Sequence, residues 1–576
     1  MKKASLVALL VALVSCAQGT TVQAPNLSAQ PDRANAVKAA YVKSYNAYLQ
    51  YAEGSDELLP LSRKGDGGFG NWAATAIDAL STHHLMGLSD LFSRSVAFAE
   101  KVDFSRTTQS SISIFETTIR YVGALLSAYE LDGKRNVKLV QQAQVIGDHL
   151  LRGWTDNHDL PYNTLRDWNN FGGPQTDGAI IAETGTLVIE LDRLSKFSGN
   201  NTYREFGVRA MRATVESKQS LPDGLYGQQI DPETGEGSNL MTWGGGSDSF
   251  FEYMIKYAQL IGRPNDIWAP AWIKTVKASI QHLITRAGGT SKQLTYLTDY
   301  TTSSGQIPRW SHLGCFAGGN WILGGRLLRN DGIVQYGLEL AESCINTYTS
   351  SASGIGPESF VFKTQSGSSN GVTINDPAGY YARGFDYDSP AYILRPEVLE
   401  SVFYAYRATG DTRWQNLAWT AFQALRKHCE SGSGAWASIN DIRKTNTEQI
   451  DNSESFVYAE TLKYLFLTFA DPDIVSLDTH VFNTEGHPFQ IDDPDADFTS
   501  LPVGTLPTPS GSAKGSSRTA EDVPAPLLSG LPAGLRLLQS VAEGVQKVLG
   551  RDEPAAPAPA SGPAGMHRRR SPAAFF

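Results

Sequence analysis

Apolar residues recur at three- and four-residue spacing through 73–86, 115–129, 185–197, 250–261, 396–408 and 456–469. That spacing lays a continuous apolar stripe along one face of an α-helix and predicts a chain built mainly of helices. Each segment runs into a break containing Gly, Asp or Asn, such as Leu131-Asp132-Gly133, Ser198-Gly199-Asn200 and Thr409-Gly410-Asp411, and a second helix follows. Such breaks suit a helix C-cap and a short turn between antiparallel helices. The chain therefore repeats helix–turn–helix at a loose period of several tens of residues, weak in sequence and regular in plan. An open solenoid and a closed ring of helical hairpins both satisfy this pattern.

The placement of charge favours the ring. An acidic residue recurs at or near the start of the first helix of successive hairpins: Asp78, Glu116, Glu183, Asp248 with Glu252, Glu397 with Glu400, and Glu454 with Glu460. Taken singly, each reads as an acid that complements the helix dipole and caps free N–H groups. Two features speak for more. The acids stand among apolar and aromatic neighbours, and several pair at i,i+3 or i,i+4, which puts both carboxylates on one helix face. Like charges so placed repel unless they share a proton, a cation or polar ligands. Closing the hairpins into a ring gathers these helix starts at one end, as a deep acidic pocket with aromatic walls. Clustered carboxylates suit glycoside hydrolysis, in which one protonates the leaving oxygen and another activates water. They also suit a hard cation held by oxygen ligands.

Composition narrows the class of partner and the compartment. The 576 residues carry a net charge of −10, which argues against a nucleic-acid surface. Lys2 and Lys3 precede a short apolar run from Leu6 to Val14, with small residues at Ser15, Ala17 and Gly19. That is the plan of a signal peptide over 1–19; it implies the secretory pathway or the exterior, with no stable membrane insertion. Leu13-Val14-Ser15-Cys16 also matches a bacterial lipoprotein cleavage box. Beyond Cys16, the cysteines at 315, 344 and 429 imply one pair and one odd thiol, at spacings unlike a zinc site. Sequons stand at Asn26-Leu27-Ser28 and Asn200-Asn201-Thr202. Residues 35–489 read as one continuous unit. Residues 490–576 turn rich in Pro, Ala, Gly and Ser, as a disordered tail does, with Leu535, Leu538, Val541, Val545, Val548 and Leu549 roughly on one face of a transient helix.

Several ordered motifs then resemble one family. They are Ile114-Phe115-Glu116-Thr117-Thr118-Ile119-Arg120, Gly246-Ser247-Asp248-Ser249-Phe250-Phe251-Glu252-Tyr253, Leu394-Arg395-Pro396-Glu397-Val398-Leu399-Glu400-Ser401, Glu454-Ser455-Phe456, Ala459-Glu460-Thr461-Leu462-Lys463-Tyr464, and Val481-Phe482-Asn483-Thr484-Glu485-Gly486-His487-Pro488. Together, from about Val37 to His487, the chain resembles the class I α-1,2-mannosidases, glycoside hydrolase family 47, and most of all their secreted fungal branch. The resemblance implies an all-α (αα)7 barrel plugged by a hairpin. It implies an inverting, calcium-dependent hydrolase, acting as a monomer, that removes terminal α-1,2-mannose from high-mannose N-glycans, from Man9 towards Man5. Residue by residue, Glu116 matches the general acid acting through a water, Asp248 a second acid and Glu397 the general base. Arg120, Glu252, Glu358, Glu400 and Glu460 match polar pocket residues, and His312 and Phe456 line the sugar subsite. Thr484 matches the Ca²⁺ ligand, through its carbonyl and hydroxyl, with waters completing the shell. Cys315 and Cys344 match the family's disulfide pair.

Without the motifs, Arg120 reads as an i,i+4 ion-pair partner of Glu116, His312 as a core histidine and Glu358 as a loop charge. Three positions depart from many members: Ser81 where Asp is common, Ala317 where an acidic or other residue is common, and Gly246 where enzymes that remove a single mannose carry Arg. The last implies a roomier pocket and broader trimming. Two other readings compete. One is a mannose-binding quality-control lectin of the same fold with weak catalysis, which the intact set Glu116, Asp248, Glu397 and Thr484 argues against. The other is a different helical-barrel glycosidase, which would lack the Asn-Thr-Glu plug.

Overall fold

The computed structural model describes residues 21–155, 158–176 and 178–509. The signal-peptide run at 1–19 and the apolar face around Leu535–Leu549 lie outside them.

Seven inner helices, each followed or closed by an outer one, form an (αα)7 barrel. The first hairpin is α2 (Ala74–Asp78) and α3 (Leu80–Leu85) with outer α4 (Ser89–Ala99). The second inner helix starts as α5 (Ile114–Glu116), passes through a π-helical turn, Thr117–Val122, and continues as α6 (Gly123–Leu131), with outer α7 (Val137–Leu150). The third is α8 (Ile181–Gly185) and α9 (Val188–Ser198) with outer α10 (Thr202–Val215). Then come α11 (Asp248–Ile261) with α12 (Trp268–His282), α13 (Phe316–Leu327) with α14 (Asp331–Thr349), and α15 (Glu397–Thr409) with α16 (Thr412–Cys429). The seventh inner helix opens with a π-helical turn, Val457–Thr461, and runs on as α17 (Leu462–Phe469). Its outer partner comes from the start of the chain: α1 (Pro31–Tyr51) packs on α17, and Gln30 N–H donates to Phe469 O at 2.7 Å. Inner helices touch their ring neighbours in turn, and the seventh touches the first, so the ring is closed.

Local rules account for much of this. Gly410, at φ +69°, closes α15 in the left-handed conformation glycine adopts without steric cost, and Asp411 at once caps α16 by accepting from Arg413 N–H at 2.8 Å. Helix α13 gives a weak apolar signal because it is glycine-rich. The glycines let α14 approach closely: a Cβ on Gly318 would lie 2.9 Å from Ala341 N.

Short strands decorate the ends of the ring. The hairpin His480–Phe482/Pro488–Gln490, in register Val481↔Phe489, enters the ring and packs Phe482 against Phe403 and Tyr464. Its far side is tied down by Arg193, which pairs with Asp492 at 2.7 Å. Order does not stop at Gln490: Phe498, Leu501 and Val503 are buried, so the segment following the hairpin straps onto the barrel. No helix among the described residues is long and apolar enough to cross a membrane. The Cys315–Cys344 disulfide joins the start of α13 to α14, with Cα atoms 5.9 Å apart, and Cys429 is free and buried.

Candidate functional site

Antiparallel pairing puts the N-termini of all seven inner helices at one end of the ring. Six of the seven bring a carboxylate there: Asp78, Glu116, Glu183, Asp248 and Glu252, Glu397 and Glu400, and Glu454 and Glu460. The fifth, α13, brings none; the turn before it supplies His312 instead. From the opposite end the plug hairpin presents Asn483, Thr484, Glu485 and His487.

Arg120 is the organising cation. Its Nε donates to Glu116 Oε2 at 2.7 Å, the i,i+4 contact expected on a helix. It does more than an ion pair on one helix: Nη1 also pairs with Glu485 of the plug and reaches Asp78 at 3.4 Å and Ser455 at 3.3 Å. The guanidinium lies over Phe69 at 4.8 Å and Phe456 at 5.8 Å. The π-helical turn that carries Arg120 inserts an extra residue into the backbone ladder and re-aims the side chains beyond it, as such turns often do at functional sites.

Beneath it, Asp78 is fully buried. Burial pushes its carboxyl up, but hydrogen bonds from His487 (3.2 Å) and Ser455, with the Arg120 charge, hold it below the usual range. Ser81, one of the departures, bonds His487 Nδ1 at 2.9 Å and accepts from Lys463 at 2.9 Å. Burial with only partial compensation brings Lys463 down to about 7; a hydroxyl at position 81 adds no negative charge to offset it. Ala317, the second departure, is buried.

On the other wall Lys256 pairs with Glu252 one turn earlier and lies 3.7 Å from Glu400, while Tyr464 donates to Glu400 at 3.4 Å. One lysine does not neutralise this cluster. Burial, with Glu252 and Glu397 nearby, pushes Glu400 up to about 8, and burial with Glu397 and Glu400 pushes Glu460 well up.

Glu397 opens α15 in an unusual way. Leu394, just before it, sits at φ +72°, a strained value for a bulky residue of order 1–3 kcal/mol, held by burial and by Thr461 Oγ1 donating to its carbonyl at 2.6 Å. Glu358 stitches this turn: it accepts from Arg395 Nε at 2.6 Å and from Ile393 N–H at 3.1 Å. It is therefore a built-in part of the wall rather than a stray loop charge. His312 is buried; its Nδ1 stands 2.7 Å from Glu397 Oε2 and its Nε2 is 2.9 Å from the Tyr348 hydroxyl.

Two carboxyls are thereby driven apart. Burial pushes Asp248 up to about 7, and the charges of Glu252 and Glu397 push the same way. Glu397 feels burial too, but His312 and Arg395 outweigh it and hold the group below the usual carboxylate range. Asp248 and Glu397 are thus set apart in proton affinity although each lies close enough to feel the other's charge, the pattern by which environment separates an acid from a base.

A family model described as glycosyl hydrolase family 47 matches residues 40–491. The chain belongs to glycosyl hydrolase family 47. It is 34% identical over 488 residues to a probable mannosyl-oligosaccharide alpha-1,2-mannosidase 1B of Aspergillus niger, covering 81% of this chain and 93% of that one. To the mannosyl-oligosaccharide alpha-1,2-mannosidase 1B of Aspergillus oryzae it is 36% identical over 484 residues, covering 80% and 92%. Its fold superposes on the alpha-1,2-mannosidase from Trichoderma reesei with TM-score 0.76 at 36% identity, covering 81% of this chain and all of that one. A family 47 member is a glycoside hydrolase.

Of the residues read from the motifs, the structure links Arg120 to Glu116 and Phe456, His312 to Glu397, Glu252 to Glu400 through Lys256, and Glu358 to the turn before Glu397. Sequence reasoning did not place Glu485, His487, Ser455, Lys256, Lys463 or Arg395 in the site. Lys256 was signalled by its i,i+4 spacing from Glu252, and Glu485 by standing beside Thr484; Ser455 and Lys463 acquire their roles only through contacts across the ring.

Proposed function

We propose that this family 47 hydrolase is an exo-α-1,2-mannosidase that trims high-mannose N-glycans from Man9 towards Man5 with inversion. The observation that carries the reading is the gathering of carboxylates at the inner-helix starts, with Glu397 held by His312 at 2.7 Å and Asp248 buried among like charges. Glu397, anionic and oriented by His312, takes a proton from the attacking water. Asp248, whose carboxyl is pushed up to about 7, and Glu116, fixed by Arg120 and acting through water, deliver the proton to the leaving oxygen. Inversion requires water to fit between base and sugar, so the first product is β-mannose. Phe456, against Arg120, offers a ring face to the sugar.

Calcium belongs to the same proposal. Among the described residues nothing donates to the carbonyl or hydroxyl oxygen of Thr484, whose N–H is engaged by the Tyr253 hydroxyl at 3.3 Å. Two oxygens left without a donor suit a hard ion held by them and by water. The raised carboxyls of Glu252's neighbours Glu400 and Glu460 mark surplus negative charge that such an ion would offset. When bound, it supplies a positive charge that orients sugar oxygens.

A secreted location fits the disulfide and the exposed sequon asparagines Asn26 and Asn200. Digestion of Man9 glycan with and without chelator, with NMR of the first-released mannose, tests the whole reading. Release of α-mannose, or no mannose release at all, overturns it.

A further inference from the structure

At the end of the ring that gathers the carboxylates lies an open groove of about 650 Å³ whose lining includes His282, Tyr300, Gln306, Thr364, Ser368 and Asn370. That volume is within the ~300–1,000 Å³ common for ligand sites. His282 is the last residue of outer helix α12, and outer-helix C-termini share a face with inner-helix N-termini, so the groove opens on the catalytic end. Its floor is the hairpin Asp299–Thr301/Gly305–Ile307, which pairs with Leu240–Met241. Directly after Met241, Thr242 Oγ1 accepts from Gly244 N–H at 2.9 Å, and Gly244 O accepts from Asp248 N–H at 3.1 Å. The other end of the floor leads through the strand Arg309–Ser311 to His312, and the wall at Thr364 follows the strand Ser359–Val361, which begins next to Glu358. Three loops that shape the pocket therefore also shape the groove.

The lining has a consistent chemistry. It contains hydroxyls, amides and two half-exposed rings, Tyr300 and His282, 6.1 Å apart at 60°. It contains no carboxylate, lysine or arginine, and burial lowers the His282 pKa, which favours its neutral ring. The walls are braced without a ligand: Asn370 Nδ2 donates to Ser304 O at 2.8 Å and Gln306 O at 3.0 Å, and Gln306 Nε2 donates to His282 O at 2.9 Å. A second groove on α16, lined by Gln423, Arg426, Lys427 and Glu430, has charges and no ring. Hydroxyls and amides that both give and accept hydrogen bonds, set around an aromatic face, match the alternating C–H faces and hydroxyl edges of a neutral sugar. An anion would ask for cations here, and an amphipathic peptide for an apolar floor.

We infer that this groove is an accessory subsite that holds a neutral oligosaccharide branch of the glycan whose other branch is being trimmed, with Tyr300 as its stacking platform. The inference rests on the mannosidase reading. Its test compares the full chain with Tyr300→Ala and Tyr300→Phe, after confirming unchanged Tm. Tyr300→Ala should raise KM for Man9 glycan by roughly three- to ten-fold, the factor for losing one aromatic contact. It should leave kcat, and both constants for α-1,2-mannobiose, unchanged, and Tyr300→Phe should restore KM. An unchanged KM for Man9, or an equal rise for mannobiose, overturns the subsite. Calorimetric Kd values for Man9 in a Glu397→Gln background, with and without Tyr300→Ala, decide the matter even if neither sugar is hydrolysed: a weaker Kd supports the groove, and equal Kd values overturn it. Loss of all hydrolysis would count against the mannosidase reading alone.

Discussion

His312 Nδ1 lies 2.7 Å from Glu397 Oε2, and its other nitrogen is 2.9 Å from the Tyr348 hydroxyl. The three groups come from the turn before α13, from α15 and from outer helix α14, so the disulfide that pins α13 to α14 also braces the support of the base. With the proton on Nδ1, the ring donates to the carboxylate and accepts from the phenol. Glu397→Gln keeps the volume and loses proton acceptance. Its kcat should fall by ~10²–10⁴-fold with sugar affinity little changed; steady-state kinetics showing near-normal turnover would remove Glu397 from the role of base.

The pH profile of kcat/KM should be bell-shaped. Its alkaline limb reflects loss of the Asp248 proton near pH 7, because a raised pKa means that the active, protonated form is lost as pH rises through it. Its acid limb reflects protonation of Glu397 below the usual carboxylate value of ~4.3. His312→Ala removes the main hydrogen bond to the anion, so the acid limb should move to higher pH. Asp248→Asn should leave a slow enzyme without the alkaline limb. An acid limb unmoved in His312→Ala contradicts the assignment.

Chelation should abolish activity and lower Tm, since a ligand bound only by the native state at a hundredfold its Kd contributes about 2.7 kcal/mol. Thr484→Val removes one of the two oxygens proposed to hold the ion and should weaken Ca²⁺ binding, measured by calorimetry. Equal Tm and activity with and without chelator would exclude the ion.

The disulfide spans a sequence separation of 29 residues, and its removal by Cys315→Ala/Cys344→Ala should cost ~2–4 kcal/mol in denaturant unfolding. Cys429 is buried, and burial pushes its thiol up, so it should resist alkylation in the native state and react once the fold is opened by denaturant. Native labelling of Cys429 contradicts this placement.

Gly246 stands at φ +84°, and a Cβ there would lie 2.7 Å from Gln228 Nε2, which now donates to Gly245 O at 2.7 Å. The space beside Asp248 left by the missing side chain is thus partly taken by Gln228. Gly246→Arg should cost about 1–3 kcal/mol in backbone strain, displace Gln228 and shorten the digestion of Man9. Gln228→Ala should widen it. Glycan profiles identical to wild type in both variants would separate this corner from specificity.

Much of this protein was legible in its residues. The spacing of apolar positions marked most inner helices, Gly410 and Asp411 marked a turn between hairpins, and carboxylates recurring among aromatics marked the end where chemistry occurs. Those are local signals, set by helix periodicity, capping and the cost of burying charge. Tertiary structure decided the rest. The apolar pattern did not reveal that residues 31–51 close the ring against α17, because a helix face carries no record of its partner. Nor did it reveal the π-helical turns that aim Arg120 and Glu460. Above all, Asp248 and Glu397 are equivalent carboxylates in sequence. Which holds a proton and which is anionic depends on burial and on His312, Arg395 and Glu252, brought through space from separate turns and helices of the ring.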